Sequence, residues 1–363
     1  MPILELNIAS FRNIAEAKVE PHPAINLICG LNGSGKTSLL ESIHFLGTGR
    51  SQRTNNLADV QQRDQILMRV SARISRSDQL VQRLSAARTR GQYRCTLNEN
   101  PVSSRSELLR LLPVLSVSPE SVSLIYDGPA QRRRFLDWGV FHVEPNFHSA
   151  WKRYHRAMSQ RNALLRSGSV AGMSSWESEM SSSAEIIDTL RREHVAALAS
   201  ELTHFVHEHF SLANITVVYQ RGWPEDRSLA DTLSLSRGRD LTLYHSSQGP
   251  HRCDIKIRIG DASARAHLSR GQAKVVSSAM WFVHTAMVAA ATRETPILLI
   301  DDIAAELDSR QGTAFFHAAN SLGAQLFITT PLNHPPPINQ EFTMFHVEQG
   351  CINRVEGGAE MIH

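Results

Sequence analysis

Eight consecutive residues, Gly30-Leu31-Asn32-Gly33-Ser34-Gly35-Lys36-Thr37, fit the pattern G-x-x-x-x-G-K-[ST]. Glycines at these positions let backbone N–H groups turn inward around phosphate oxygens, and a helix N-terminus behind them adds partial positive charge. In such a loop Lys36 neutralises the β- and γ-phosphates of a nucleotide, and the Thr37 hydroxyl ligates Mg²⁺. An accidental glycine-rich turn would share the composition but not the setting. Here the apolar run Ile25-Asn26-Leu27-Ile28-Cys29 leads in, and a helix-compatible segment at 36–46 leads out.

Two further groups extend this chemistry. The apolar run Ile297-Leu298-Leu299-Ile300 ends in Asp301-Asp302. Asp301 is predicted to hold Mg²⁺, directly or through water, and Asp302 stands where a carboxylate can orient and deprotonate the attacking water. The plainer alternative is that the pair caps the next helix. Lys36 and Asp302 are thus the catalytic candidates, and Thr37 and Asp301 the metal ligands. Leu268-Ser269-Arg270-Gly271-Gln272 resembles the ABC signature L-S-G-G-Q and precedes a long helix-compatible stretch, so Ser269, Gly271 and Gln272 join the loop residues as nucleotide-binding candidates. In ABC proteins that signature closes on the γ-phosphate held by the other subunit. Many carry Glu where Asp302 stands, so the shorter side chain implies slow turnover. Glu306-Leu307-Asp308 resembles the D-loop along the dimer interface. The expected switch histidine is replaced by Thr329-Thr330-Pro331, with His334 further on, and Thr330 offers a hydroxyl but no charge.

These groups need a frame to hold them. Short β-like runs occupy 4–9, 15–19, 25–29, 65–74, 84–87 and 93–97, whereas apolar residues from about 132 to 210 recur at helical spacing, as in Phe147, Trp151, Tyr154 and Met158. Strand-like runs return at 215–219, 254–259, 297–300, 326–329 and 342–347. The pattern predicts an α/β protein: residues 1–126 as the N-terminal part of an ATPase lobe with the phosphate loop, 127–213 as an inserted helical lobe, and 214–363 as the rest of the ATPase lobe. No sustained heptads point to a long coiled coil.

Composition sets outer limits. With 42% hydrophobic and 20% charged residues the chain reads as a soluble globular protein. No uninterrupted apolar stretch approaches the roughly 18 residues of a membrane span, and the N-terminus lacks a secretory pattern, so the expected location is the cytoplasm. Cys29, Cys95, Cys253 and Cys351 lack metal-site or redox spacing and are expected as buried free thiols. A net charge of +3 permits a nucleic-acid partner without requiring one. Arg132, Arg133, Arg134, Lys152, Arg153, Arg156, Arg161 and Arg166 concentrate positive charge in the helical region, where they can neutralise DNA phosphates or form a solvated face with local ion pairs. Arg12 can approach the nucleotide; Arg50 and Arg53 can face either ligand.

Several runs, in order over nearly the whole chain, resemble the RecF family, bacterial DNA replication and repair proteins related to SMC and Rad50 heads. They are Phe11-Arg12-Asn13-Ile14, Gly49-Arg50-Ser51-Gln52-Arg53, Ser118-Pro119-Glu120, Gly128-Pro129-Ala130-Gln131-Arg132-Arg133-Arg134-Phe135-Leu136-Asp137, Gln160-Arg161-Asn162-Ala163-Leu164-Leu165 and Gly249-Pro250-His251-Arg252, with the signature and acidic groups above. Cys253 departs from the family, where a second acidic residue is common. The resemblance implies an SMC/Rad50-like ABC-ATPase head with an inserted helical lobe, using ATP and Mg²⁺. It further implies an ATP-bound homodimer on single- and double-stranded DNA near their junctions, working with RecO and RecR to help load RecA. Two readings of the bound ATP follow: slow, DNA-stimulated hydrolysis that releases DNA, or a nucleotide-regulated DNA scaffold in which hydrolysis is incidental. A transporter subunit fits poorly with the helical insertion, Asp302 and the missing switch histidine.

Overall fold

The computed structural model describes residues 2–76, 78, 80–210, 212, 215–302, 307–330 and 341–355. The chain forms two compact units, one of residues 1–121 with 288–363, the other of residues 122–287.

The first unit holds two six-stranded sheets. One is ordered Cys351–Val355, Phe342–Glu348, Ile25–Cys29, Leu326–Thr330, Ile297–Ile300, Val114–Val117; the first pair is antiparallel and the rest are parallel. Ile25–Cys29, Leu326–Thr330 and Ile297–Ile300 are buried at every position, as parallel strands covered on both faces must be. Their register pairs Thr330 with Cys29 and Ile300 with Ile328. The strands therefore end on one rim, where Gly30, Asp301 and Thr329 come together and where ligands of open α/β sheets bind. The second sheet runs Ile14–Val19, Ile3–Phe11, Leu67–Ser75, Val81–Thr89, Gln92–Leu97, Asn100–Pro101, all antiparallel.

The helix Lys36–Thr48 touches strands of both sheets, and Leu39, Leu40, Ile43, Phe45 and Leu46 are buried around it. Phe45 packs on Phe11 and, edge-on, on Tyr93, with centroids 5.7 and 5.8 Å apart. Gln325 ties the two sheets. Its Oε1 accepts from the Ile3 N–H at 2.7 Å, and its Nε2 donates to the Ile3 and His22 carbonyls at 3.0 and 2.9 Å.

The second unit is not purely helical. The helices Pro129–Val143, Phe147–Ser167, Met173–Phe210 and Leu229–Leu243 share its core with an antiparallel sheet of Ala262–Ser263, Asp254–Ile259 and Ile215–Gln220. Strands 215–220 and 254–259 belong here because Ile215, Val217, Ile255 and Ile257 pack into that core beside Leu198 and Leu202. The units thus divide after Ser121 and Met287, not at the 126 and 213 boundaries read from periodicity. Arg270–Thr292 is the one helix among the described residues long and apolar enough to cross a membrane. Most of its apolar window is buried, and Val276, Met280 and Val283 lie in the core of the second unit.

Several of the arginines that sequence offers either to DNA phosphates or to local ion pairs have partners within the protein. Arg161 is fully buried and donates to Glu177 at 3.1 Å, Asp240 at 2.7 Å and the Ser246 hydroxyl at 2.9 Å. Arg132 forms a two-pronged pair with Asp254 at 2.7 and 3.1 Å, Arg133 donates to the Cys253 carbonyl at 2.9 Å, and Arg153 pairs with Glu179. Arg134, Lys152, Arg156 and Arg166 are exposed. Removing one partner of a buried pair strands the opposite charge, so Arg161→Met is expected to destabilise the protein by about 3–5 kcal/mol. Urea unfolding followed by tryptophan fluorescence measures it. A second buried set, His194 and His284 with Nε2 atoms 3.1 Å apart, is held neutral because burial lowers both pKa values.

Candidate nucleotide-binding site

Strand Ile25–Cys29 delivers the chain to Gly30, whose φ is +152° and where an added Cβ would lie 2.3 Å from the Val347 carbonyl oxygen. Only glycine fits that approach. Gly35, at φ +121°, precedes the helix Lys36–Thr48 and leaves its N-terminus with no side-chain cap, so its first N–H groups face the cleft as an anion site. The loop is braced from outside. Asn13 Nδ2 donates to the Ser34 carbonyl at 3.0 Å, and the Gly350 N–H donates to the same oxygen at 2.8 Å. Lys36 is buried, and its ammonium donates to the Gly30 and Leu31 carbonyls at 2.8 and 3.2 Å. With three donors, it keeps one for a phosphate oxygen.

Opposite the loop sits the acidic pair. The Thr37 hydroxyl donates to Asp301 Oδ1 at 3.3 Å, so the two expected metal ligands are adjacent. Thr329, almost fully buried, joins both carboxylates: its hydroxyl donates to Asp301 Oδ1 at 2.8 Å, lies 3.3 Å from Asp302 Oδ1, and accepts from the Asp302 N–H at 2.8 Å. Burial raises the Asp301 pKa above its ordinary value, and the nearby charge of Asp302 adds to the rise. A divalent cation would relieve that crowding of negative charge. Asp302 adopts φ +46°, which is unusual for a non-glycine residue and turns the chain sharply after the strand. Of the two threonines at the strand end, Thr329 is the one that reaches the acids. The strand's period of two could have indicated which threonine shares a face with them.

Arg12 is one wall of the cleft. It grips the buried Glu41 through two bonds of 3.0 and 2.9 Å and donates to the Asp59 carbonyl at 2.9 Å. Burial pushes the Glu41 carboxyl up, but hydrogen bonds from Arg12 and Ser51 outweigh it and hold the pKa low. Arg12, Asn32, Lys36, Thr37, Arg53 and Asp302 line a cleft of about 610 Å³, a size suited to a nucleotide. Arg53 thus lines the same cleft as the phosphate loop. Asn13 and Thr329 are the supports that linear motifs did not reveal.

The signature residues lie in the second unit, at the start of the helix Arg270–Thr292. There the Ser269 N–H donates to Gln272 Oε1 at 3.0 Å, and the Gln272 N–H donates to Ser269 Oγ at 3.2 Å, a reciprocal capping box. Gly271 lies in the first turn. Asp308 caps the helix Ser309–Ser321 through the Gln311 N–H at 2.8 Å; Glu306 and His334 lie outside the described residues.

A phosphate loop and acidic strand end on a parallel sheet rim, a flanking antiparallel sheet and an intervening second unit with a signature-type helix define an ABC-type P-loop ATPase head. The family profile described as RecF/RecN/SMC N terminal domain matches residues 2–353. The chain is 37% identical over 364 residues to the DNA replication and repair protein RecF of Stutzerimonas stutzeri, covering 98% of each chain. It is 37% identical over 356 residues to that of Chromohalobacter salexigens, covering 96% of this chain and 99% of the relative. The chain belongs to the RecF family of DNA replication and repair proteins. Among solved structures, the recombination mediator protein RecF-ATP of the RecFOR pathway aligns with a TM-score of 0.84 at 25% identity, over 98% of this chain and 97% of that one. An Smc head bound to the C-winged helix domain of ScpA aligns at 0.60 and 15% identity over the full length of both, a likeness of fold.

Proposed function

We propose that this protein binds Mg-ATP in the cleft of the first unit and uses it to close two copies of the chain on DNA. The observation that carries the reading is the meeting of Lys36, Thr37, Asp301, Asp302 and Thr329 around one opening. The loop from Gly30 to Lys36 cradles the phosphates, Thr37 and Asp301 hold the metal, and Asp302 serves as the base for water. ATP and Mg²⁺ are supplied by solution; the residues supply orientation, charge and a proton acceptor. Ser269, Gly271 and Gln272, at the N-terminus of a long helix, meet the γ-phosphate of the opposite copy, which makes each site composite. Slow hydrolysis, stimulated by DNA, then opens the pair. The partners of this cytoplasmic switch are DNA with single- and double-stranded segments, RecO and RecR, with RecA loading as the outcome.

Sedimentation velocity with ATP, ADP or no nucleotide, repeated with gapped DNA, tests this. A monomer that becomes a dimer with ATP, and more so with DNA, is the expected result. An unchanged monomer under every condition would sink the dimer switch.

A further inference from the structure

We propose that the outer face of the antiparallel sheet in the first unit, opposite the helix Lys36–Thr48, is a docking surface for the sugar-phosphate backbone of duplex DNA. The inference rests on the DNA-binding reading above and assigns the surface that the helical arginines leave unfilled.

The face follows from strand alternation and register. Along Leu67–Ser75, Met68, Val70, Ala72 and Ile74 are buried and Arg69 and Arg73 are exposed on the other side, with Ser71, itself buried, between them by strand alternation. Along Val81–Thr89, Leu84 and Ala86 are buried, and Arg83, Ser85 and Ala87 face outward. Arg94 alternates with the buried Cys95 on the next strand. Pairing then sets Arg73 directly opposite Arg83, and places Ala87 opposite both Arg69 and Arg94. Two rows of guanidiniums result, separated by Ser71, Ser85 and Thr96.

Like charges directly opposite each other destabilise a sheet. Relief is only partial: the guanidiniums of Arg69, Arg73, Arg83 and Arg94 are exposed and make no hydrogen bond or ion pair with the described residues, although the Glu5 carboxylate feels the charge of Arg73. Glu5, which stands across from Arg73, spends its hydrogen-bond and ion-pair contacts on Asn7 at 2.8 Å and Lys18 at 3.4 Å. In the second unit Arg132, Arg153, Arg161 and Arg191 have carboxylate partners, and the exposed Arg134, Arg156 and Arg166 lie on helices and are not set opposite one another by sheet register. A basic surface whose guanidiniums lack hydrogen-bonded acids matches a polyanion.

The occupant is duplex rather than single-stranded because of what lies between the arginines. Ala9, Ser71, Ser85 and Ala87 are small, and Ser71 is only 2% exposed, so no bulky side chain between the rows keeps a rigid rod from the guanidiniums. Tyr93 packs edge-on against Phe45 on the opposite side, so it is not a platform for stacking unpaired bases. Contacts of this kind position a backbone without reading sequence.

The test compares wild type with Arg69→Ala/Arg73→Ala/Arg83→Ala and with the corresponding triple Lys variant. Fluorescence anisotropy with a labelled duplex is measured between about 50 and 200 mM salt, beside an ATP-binding titration. The expected result is at least a roughly tenfold loss of duplex affinity for the Ala variant. Its salt dependence should flatten by about one unit of slope per contacting arginine, with ATP binding unchanged and most affinity kept by the Lys variant. If wild type binds duplex and the Ala variant matches it in affinity and slope, the surface is wrong while DNA binding stands. Loss confined to a single-stranded probe overturns the duplex assignment. A wild-type protein that binds no DNA removes both readings.

Discussion

Asp302→Asn is expected to slow ATP hydrolysis by about 10²–10⁴-fold, the range for loss of a positioned general base, while leaving ATP affinity close to wild type. The substitution keeps the shape of the side chain and the backbone N–H bond to Thr329, and removes only the charge and basicity. Lys36, Thr37 and Asp301 remain, so the nucleotide still binds and the ATP-bound dimer outlives that of the wild type. Single-turnover hydrolysis and sedimentation give the two readouts, and unchanged turnover would place the base elsewhere. Thr329→Val should show a smaller version of this defect. It leaves the Asp302 N–H without its acceptor and Asp301 without its 2.8 Å donor, and Thr329→Ser should restore both.

Lys36→Ala is expected to weaken ATP binding by at least about tenfold to a hundredfold. A charge-assisted hydrogen bond contributes about 1.5–3 kcal/mol, so losing the ammonium costs on the order of tenfold to a hundredfold in affinity. The loop itself adds to the loss, because Lys36 holds the Gly30 and Leu31 carbonyls that shape the cradle. Lys36→Arg keeps the charge but not the fit. A planar guanidinium cannot replace a compact ammonium in a site that is 5% exposed, so hydrolysis should fall even where binding survives. Isothermal titration with ATP and with ADP separates the cases, and wild-type affinity in Lys36→Ala would remove the loop from the mechanism.

The site residues that were legible in sequence are those whose chemistry is local. Gly30 to Thr37 carries its own glycines and lysine, and Asp301-Asp302 follows an apolar run that can only be a buried strand. What was not legible depends on distant partners. Nothing near Arg161 says that it will be buried, because Asp240 lies 79 positions away, and the Asp254 that claims Arg132 lies 122 away. Strands 215–220 and 254–259 resemble those of the first unit in composition, and only packing assigns them to the second. Thr329 rather than Thr330 meets the acids because adjacent strand residues point to opposite faces. The arginine rows require the register of three strands, which no single segment encodes.

The brace behind the phosphate loop also has a spectroscopic consequence. Gly350 donates the hydrogen bond that holds the Ser34 carbonyl, and the next residue, Cys351, is exposed whereas Cys29, Cys95 and Cys253 are buried. A maleimide dye would therefore select Cys351 in the unmodified chain and sit one residue from the loop's anchor. The native sequence thus supplies its own position for an optical reporter of loop occupancy.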